Sequence, residues 1–130
     1  MNTVEINLKN DKCLNIAISP GDIMIDCGAN VGKVSQLFAE KGAIVLAFEP
    51  NRWAFEELSQ RFKNNKNVNC VNSAVSTEDG TAKLYMHKLS ITNPVKYSKS
   101  STLVSEKQNL ALNDYHVVPV VDLARIIIET

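Results

Sequence analysis

Residues 21–51 read GDIMIDCGANVGKVSQLFAEKGAIVLAFEPN, and this stretch decides the fold. Its apolar runs predict a first strand at 23–26, buried on both faces, and a second strand at 43–48 that ends before Glu49. Between the strands lie a glycine turn at 28–32 and a helix whose apolar face is formed by Val34, Leu37 and Phe38. Such an arrangement within about 30 residues is one βαβ unit with a right-handed crossover. The sequence therefore predicts an α/β protein built on a parallel sheet.

The glycine turn is suited to a ligand that lies against the backbone. Gly28, Ala29 and Gly32 are small, so no side chain separates the turn from a ligand at the carboxyl end of the first strand. Glu49 ends the second strand about 20 residues further on, where a carboxylate can accept both hydroxyls of a ribose. This arrangement predicts a site for a nucleoside with free ribose hydroxyls.

The residues around the turn distinguish between nucleoside ligands. A dinucleotide site has the pattern G-x-G-x-x-G, which faces a pyrophosphate, whereas this chain has Asp26-x-Gly28-x-Asn30-x-Gly32. The Asp26 carboxylate would repel a pyrophosphate and would suit an ammonium or a hydroxyl group. This favours S-adenosylmethionine, which has an amino-acid end and a sulfonium but no phosphate.

Two motifs in this stretch match those of a known family. Residues 26–32 fit the pattern D-x-G-A-N-x-G, and residues 48–51 fit F-E-P-N. The likeness continues through residues 67–88, 100–103 and 117–127, and it covers roughly residues 18–128. Taken together, these segments resemble the FkbM-type S-adenosylmethionine-dependent methyltransferases.

The resemblance implies a Rossmann-like fold of the class I methyltransferase type, a three-layer sandwich with added β-hairpins, and S-adenosylmethionine as cofactor. It implies that Asp26 and the turn hold the methionine end, that Glu49 holds the ribose, and that the tip of a third strand contacts the adenine. The predicted cofactor-binding residues are Asp26, Gly28, Ala29, Asn30, Gly32, Glu49, Pro50, Asn51, Asn72, Ser73 and Ala74. The implied methyl acceptor is a hydroxyl on a small molecule, such as a sugar or a polyketide-like metabolite.

One motif implied by the resemblance is missing. FkbM-type enzymes continue into a fourth central strand with the motif K-x-D-x-E-G, and no such run follows Glu49. We therefore expect residues 1–130 to form a single, incomplete cofactor-binding domain, truncated before the fourth strand and without an identifiable general base. The strand at 23–26 would then be an exposed apolar edge, which is prone to association. We expect the chain to cover this edge by forming a homodimer or other oligomer, by swapping an element, or with its own amino-terminal hairpin.

The remaining patterns complete the expected elements. Alternating apolar residues predict a β-hairpin within 1–19, and weakly patterned polar residues predict a loop at 89–114. The other expected elements are a helix at 51–64 capped by Asn51, strands at 68–75, 82–87 and 117–121, and a helix at 122–129. Pro119 predicts that the last strand lies at an edge or carries a bulge. Trp53 either packs its helix onto the sheet or flanks the adenine.

Length and composition set the broad class. A chain of 130 residues with 45% hydrophobic and 22% charged residues is typical of one globular domain. The formal net charge of +0 gives no reason to expect binding to nucleic acid or to a membrane. The cysteines lack a C-x-x-C spacing and no signal peptide is recognisable, which predicts reduced thiols and a cytoplasmic location. His87 and His116 have no ligating residues near them in sequence, so no metal site is predicted.

Three functions compete on these observations. The first is an O-methyltransferase-like protein that is completed by further chain or by a partner subunit. The second is a non-catalytic module that works in cofactor binding or in oligomeric interaction. The third is a nicotinamide-dependent protein, which Asp26 and the glycine spacing disfavour. The first two differ in whether a partner restores a closed active site, and the sequence leaves both open.

Overall fold

The computed structural model, which describes residues 2–87 and 110–130, has a mixed α/β fold. Its strands are β1 (Asn2–Asn7), β2 (Cys13–Ile18), β3 (Ile23–Cys27), β4 (Ile44–Phe48), β5 (Val68–Val71), β6 (Ala74–Ser76), β7 (Gly80–His87) and β8 (Leu110–Asp122). Its helices are α1 (Lys33–Ala39), α2 (Arg52–Phe62) and α3 (Leu123–Glu129), with a short 3-10 turn at Lys9–Asp11. Among these residues the strands form three separate sheets, in the orders β1-β2, β3-β4-β5 and β6-β8-β7.

The βαβ unit predicted from residues 21–51 is confirmed. β3 and β4 pair in parallel, with Ile25 opposite Leu46, and α1 connects them. β5 pairs in parallel with the other side of β4. The carboxyl ends of all three strands therefore meet at one edge of the sheet.

One face of the parallel sheet carries the hydrophobic core. Val45 and Ala47 of β4 are fully buried and share a core cluster with Phe38 of α1 and Leu58 of α2. Both helices thus pack on the same face. Complete burial of such side chains stabilises the fold by about 1.5–3 kcal/mol for each large one.

The opposite face carries apolar side chains that the described residues leave exposed. Ile23, Ile44 and Val71 are 50%, 38% and 37% exposed. Ile23 pairs with Ile44 across the sheet, so their side chains share a face. The expectation that the first strand is buried on both faces is therefore wrong. The reason is that α1 and α2 cover the same face and that, in the described part of the chain, no strand pairs beyond β3.

Helix α1 buries only part of the face that its sequence predicts. Ser35 and Phe38 are buried, whereas Val34 and Leu37 are each 38% exposed. Val34 borders an apolar groove at the open edge of β3, together with Ile23. The Val34 side chain thus extends the exposed apolar surface at the β3 edge.

The amino-terminal strands β1 and β2 form an antiparallel hairpin, with Val4 opposite Ile16. Val4 and Ile18 are buried in the same core cluster as Phe38. The hairpin covers core side chains, yet in the described residues it makes no ladder with β3. The backbone edge of β3 therefore stays open.

The strand predicted at 68–75 is divided between two sheets. β5 ends at Val71, and β6 begins at Ala74 in the sheet with β7 and β8. Ser73 stabilises the break, because its N–H donates to the Val71 carbonyl and its hydroxyl to the Pro119 carbonyl of β8, each at 3.0 Å. The chain therefore changes direction immediately after the third parallel strand.

The strand β8 is longer and more central than its sequence predicts. It lies between β6 and β7, so the edge position expected from Pro119 is wrong. Pairing with β6 starts only at Val120, and Pro119 therefore needs no N–H for that ladder. The shift in register lies between the Tyr85–Tyr115 and His87–Leu110 pairs, so the extra residues belong to β8 itself, although they lie away from Pro119. Residues 110–114 of the predicted 89–114 loop belong to β8, which pairs with β7 as far as Leu110, and the rest of that loop lies outside the described residues.

Both later helices begin at a side-chain cap. The Asn51 side chain accepts the N–H groups of Trp53 and Ala54, each at 3.1 Å, which confirms it as the cap of α2. Asp122 accepts the Ala124 N–H at 3.0 Å and begins α3. α3 has no buried residue, so its apolar side chains add to the exposed apolar surface.

Substituting Gly32 by alanine should destabilise the fold strongly. Gly32 has φ +94°, and an added Cβ would lie 2.8 Å from both Leu58 Cδ1 and Phe62 Cε2. The left-handed backbone and the overpacking together should lower the free energy of unfolding by at least about 2 kcal/mol in urea denaturation. Gly28→Ala is the matched control, since Gly28 has φ +79° but open space around it. Equal losses of unfolding free energy in the two variants would contradict the tight contact between Gly32 and α2.

Candidate functional site

The carboxyl edge of the parallel sheet brings most of the predicted site residues together. The glycine turn follows β3, the segment 49–51 follows β4, and Asn72 and Ser73 follow β5. Ala74 lies further along, as a buried residue at the start of β6. Ligands of open α/β sheets bind at this edge, so the position agrees with a binding site.

The glycine turn is seated directly on the end of β4. The N–H groups of Gly28 and Ala29 both donate to the Phe48 carbonyl at 2.9 Å. Gly28, Asn30 and Gly32 adopt positive φ values of 79°, 54° and 94°. Glycine takes this conformation without a Cβ penalty, and asparagine tolerates it better than most residues. The sequence thus explains why the chain can turn this sharply here.

Glu49 lies at the centre of this edge and is only 5% exposed. Its Oε1 accepts the Asn30 N–H at 2.8 Å, and its Oε2 accepts the Asn51 N–H at 2.7 Å. Burial raises the pKa of this carboxyl above its ordinary value, the two backbone N–H groups oppose that rise, and the Asp26 charge adds to it. Glu49, which the sequence predicts to hold a ribose, therefore also accepts hydrogen bonds from two backbone N–H groups of the site.

Two small cavities adjoin the residues that Glu49 holds. A cavity of about 150 Å³ is lined by Asp26, Asn30 and other residues of the glycine turn. A second cavity, of about 170 Å³, is lined by Pro50, Asn51, Asn72 and residues 116–119 of β8. Asn30 lines the first and Asn51 the second, so the Glu49 carboxylate bridges the two linings.

Ser35 and Arg61 hold the glycine turn, and neither was among the predicted site residues. The Ser35 hydroxyl is fully buried and donates to Asp26 Oδ2 at 2.6 Å. Arg61 of α2 donates from Nε to the Val31 carbonyl at 2.7 Å, and its guanidinium also bonds Gln36 of α1. A serine at i, i+3 spacing from a buried phenylalanine is a sequence signal that could have identified Ser35. Nothing in the local sequence marks Arg61.

The residues after β5 and at the start of α2 make structural contacts. The Asn72 side-chain amide donates to the carbonyls of Glu49 and Pro50, at 2.8 and 3.2 Å. The Arg52 guanidinium lies 4.3 Å from the centre of the Trp53 ring, and the Trp53 and His116 ring centres lie 5.3 Å apart in an edge-to-face arrangement. Trp53 thus packs α2 against β8, and it also lines the second cavity.

In the described part of the chain, no group of three or more His, Cys, Asp or Glu side chains is placed to hold a metal ion. Among the same residues, no helix is long and apolar enough to cross a membrane. In sequence comparison, no protein-family model and no curated protein matches the chain. The assignment of function therefore depends on the geometry of the site.

Glu49 should titrate at a higher pH in the folded protein than in the urea-unfolded chain, where an ordinary glutamate has a pKa of about 4.3. A carboxyl whose pKa is raised on folding binds its proton more tightly in the folded state. Its contribution to stability is therefore full below the unfolded pKa and decreases as the pH rises through the folded pKa. Carboxyl carbon NMR gives the two pKa values directly.

The Glu49→Gln variant provides the control for that titration. The difference in unfolding free energy between wild type and variant should fall as the pH rises from the unfolded to the folded pKa of Glu49, and it should be flat above the folded pKa. A difference that instead rises with pH would mean that the two backbone hydrogen bonds outweigh burial.

Proposed function

We propose that this chain is the S-adenosylmethionine-binding part of an FkbM-type, Rossmann-like methyltransferase. The observation that supports the proposal is the buried carboxylate of Glu49, which bridges two cavities at the carboxyl edge of a parallel sheet. The strand order β3-β4-β5 also agrees with the first three strands of a class I methyltransferase. In that fold, the fourth strand would lie beyond β3.

The shape of the site suits a nucleoside with a second polar end. Pockets for drug-sized ligands measure about 300–1,000 Å³, so a cavity of about 150 or 170 Å³ holds only part of such a ligand. In the proposed binding mode, a ligand that spans both cavities contacts Glu49, whose carboxylate bonds one residue of each lining. Each carboxylate oxygen can accept a further hydrogen bond beside the backbone N–H it already holds. A ribose with two free hydroxyls offers the two matching donors.

The first cavity favours a cationic end over a phosphate. Asp26 contributes a carboxylate to its lining, and Ser35 holds that carboxylate in place. We assign Asp26 and the turn to the ammonium of a methionine moiety, and the second cavity, with Asn72, to the adenine. A pyrophosphate in the first cavity would lie beside Asp26, which again disfavours a nicotinamide dinucleotide.

The proposed reaction is O-methylation of a small-molecule hydroxyl. The cofactor supplies an electrophilic methyl group on its sulfonium. The residues of this protein bind and align the cofactor. Asp26 binds the ammonium, Glu49 binds the ribose, and the 28–32 turn packs against the part of the cofactor between those two groups. The acceptor hydroxyl needs a positioned base, and the proposal assigns none in this chain. Further chain or a partner subunit is proposed to supply the acceptor-binding residues.

Isothermal titration with S-adenosylhomocysteine tests the cofactor site. We expect wild type to bind and Glu49→Ala to lose about 1–3 kcal/mol of binding free energy, roughly 5- to 150-fold in Kd, because two charged hydrogen bonds to the ribose are removed. Glu57→Ala, which removes an exposed carboxylate from α2, is the matched control and should bind as wild type does.

A ligand that lacks both ribose hydroxyls distinguishes loss of the contact between Glu49 and the ribose from misfolding of the Glu49→Ala variant. The dideoxy analogue should bind wild type more weakly than S-adenosylhomocysteine, and this difference should vanish in Glu49→Ala. Binding of NAD⁺ in place of S-adenosylhomocysteine would refute the proposal, and so would a folded wild type that binds neither.

We also propose that the open edge of β3 is covered by a second copy of this chain or by another subunit. The support is the apolar groove at this edge, which is lined by the exposed side chains of Ile23 of β3 and Val34 of α1. Unpaired apolar edges associate readily, and a symmetric dimer is the commonest outcome. The same surface favours the second candidate function, an interaction module, if the cofactor titration fails.

Sedimentation velocity over a range of concentrations tests this association. We expect wild type to form dimers and Ile23→Lys to shift the equilibrium towards monomer, because a charge would be buried at the contact. Ile128→Lys is the control, since Ile128 is 82% exposed but lies on α3, away from the residues that line the groove at β3. A wild-type chain that stays monomeric at all concentrations would rule out cover by a second copy.

A further inference from the structure

We propose that Glu49 is a positioning residue that sets the shape of the ligand edge before any ligand binds. In this role its carboxylate joins the glycine turn to the start of α2, which fixes the spacing of the two cavities. The inference rests on the proposed function for the identity of the ligand. It differs from that proposal in assigning Glu49 a task in the ligand-free protein.

Asn30 has an uncommon, left-handed backbone conformation. This residue has φ 54°, in the left-handed region that residues with a Cβ adopt only rarely. In that conformation its N–H donates to Glu49 Oε1 at 2.8 Å. A charge-assisted hydrogen bond of this kind favours the left-handed state over the ordinary conformations of asparagine. Glu49 therefore helps to hold the turn in its unusual shape.

The other carboxylate oxygen of Glu49 holds the start of α2. Glu49 Oε2 accepts the N–H of Asn51 at 2.7 Å, and the Asn51 side chain in turn caps α2 through Trp53 and Ala54. Glu49 and Asn51 are both nearly inaccessible to solvent. Loss of the carboxylate would remove this acceptor from the buried Asn51 N–H and from the partly buried Asn30 N–H, and water cannot readily replace it at Asn51. One side chain thus supports the turn and the helix that line the two cavities.

A residue that only contacts the ligand would behave differently. Its replacement would weaken binding but would leave the backbone of the ligand-free protein unchanged. Overall stability does not separate the two roles, since replacing Glu49 also relieves the cost of a buried charge. Local hydrogen exchange of single backbone amides separates them.

The test is amide hydrogen exchange, followed by NMR, on ligand-free wild type and Glu49→Gln. The neutral amide of glutamine has one carbonyl oxygen and can replace only one of the two acceptors. We expect at least one of the amides of Asn30 and Asn51 to exchange at least 10-fold faster in the variant. The amides of Gly28 and Ala29, which donate to Phe48, should also lose protection as the turn loosens. Glu57→Gln is the matched control and should leave all four amides protected.

A second substitution tests whether Glu49 acts through Asn30. Asn30→Gly relieves the cost of the positive φ, so in the Glu49→Gln background it should restore at least half of the lost protection at Gly28 and Ala29. The effect is measured against Asn30→Gly alone, which accounts for the lost asparagine side chain. Unchanged exchange in Glu49→Gln, or no restoration by Asn30→Gly, would overturn the inference. Because no ligand is used, either result is independent of the titration with S-adenosylhomocysteine.

Discussion

The close seating of the glycine turn between β4 and α2 determines the geometry of the candidate site. The Phe48 carbonyl at the end of β4 accepts two N–H groups of the turn. From the other side, α2 leaves room for no Cβ at Gly32, and Arg61 of that helix donates to the Val31 carbonyl. The turn is therefore held by two elements of the core. A site built in this way has its shape before it meets a ligand, which reduces the ordering cost of binding.

Burial on a single face gives the parallel sheet three surfaces with different properties. The face under α1 and α2 holds the core, where Val45 and Leu58 are fully buried. The carboxyl edge presents polar groups and small cavities, which suits a ligand. The opposite face and the β3 edge expose Ile23 and Ile44, which suits a protein contact. Because parallel sheets are normally covered on both faces, we expect a protein contact on the exposed face. A ligand is expected at the carboxyl edge, which is a separate surface of the same sheet.

Local patterns were sufficient for the elements but not for the contacts between distant segments. The apolar runs, the glycine turn and the cap at Asn51 are encoded within a few residues, and each appears where the sequence predicts it. The break after β5 depends on Ser73 meeting Pro119, 46 residues away, and no local signal reports that contact. The buried face of α1 was predicted only in part, because Ser35 faces Asp26 across the sheet edge. The role of Arg61 depends on Val31, 30 residues earlier.

The two carboxylates at the carboxyl edge of the sheet have different environments, which agrees with the different tasks proposed for them. Asp26 is partly exposed in the turn cavity and is oriented by Ser35. Glu49 is buried, and its pKa is raised by that burial and by the Asp26 charge, despite two backbone hydrogen bonds. A pair of carboxylates that interact in this way produces a negative potential, which attracts a cationic ligand and repels a phosphate. The burial of Glu49 makes its charge costly, and its two N–H partners offset part of that cost. The proposed selection of a cation and the proposed rigidity of the backbone thus depend on the same two side chains.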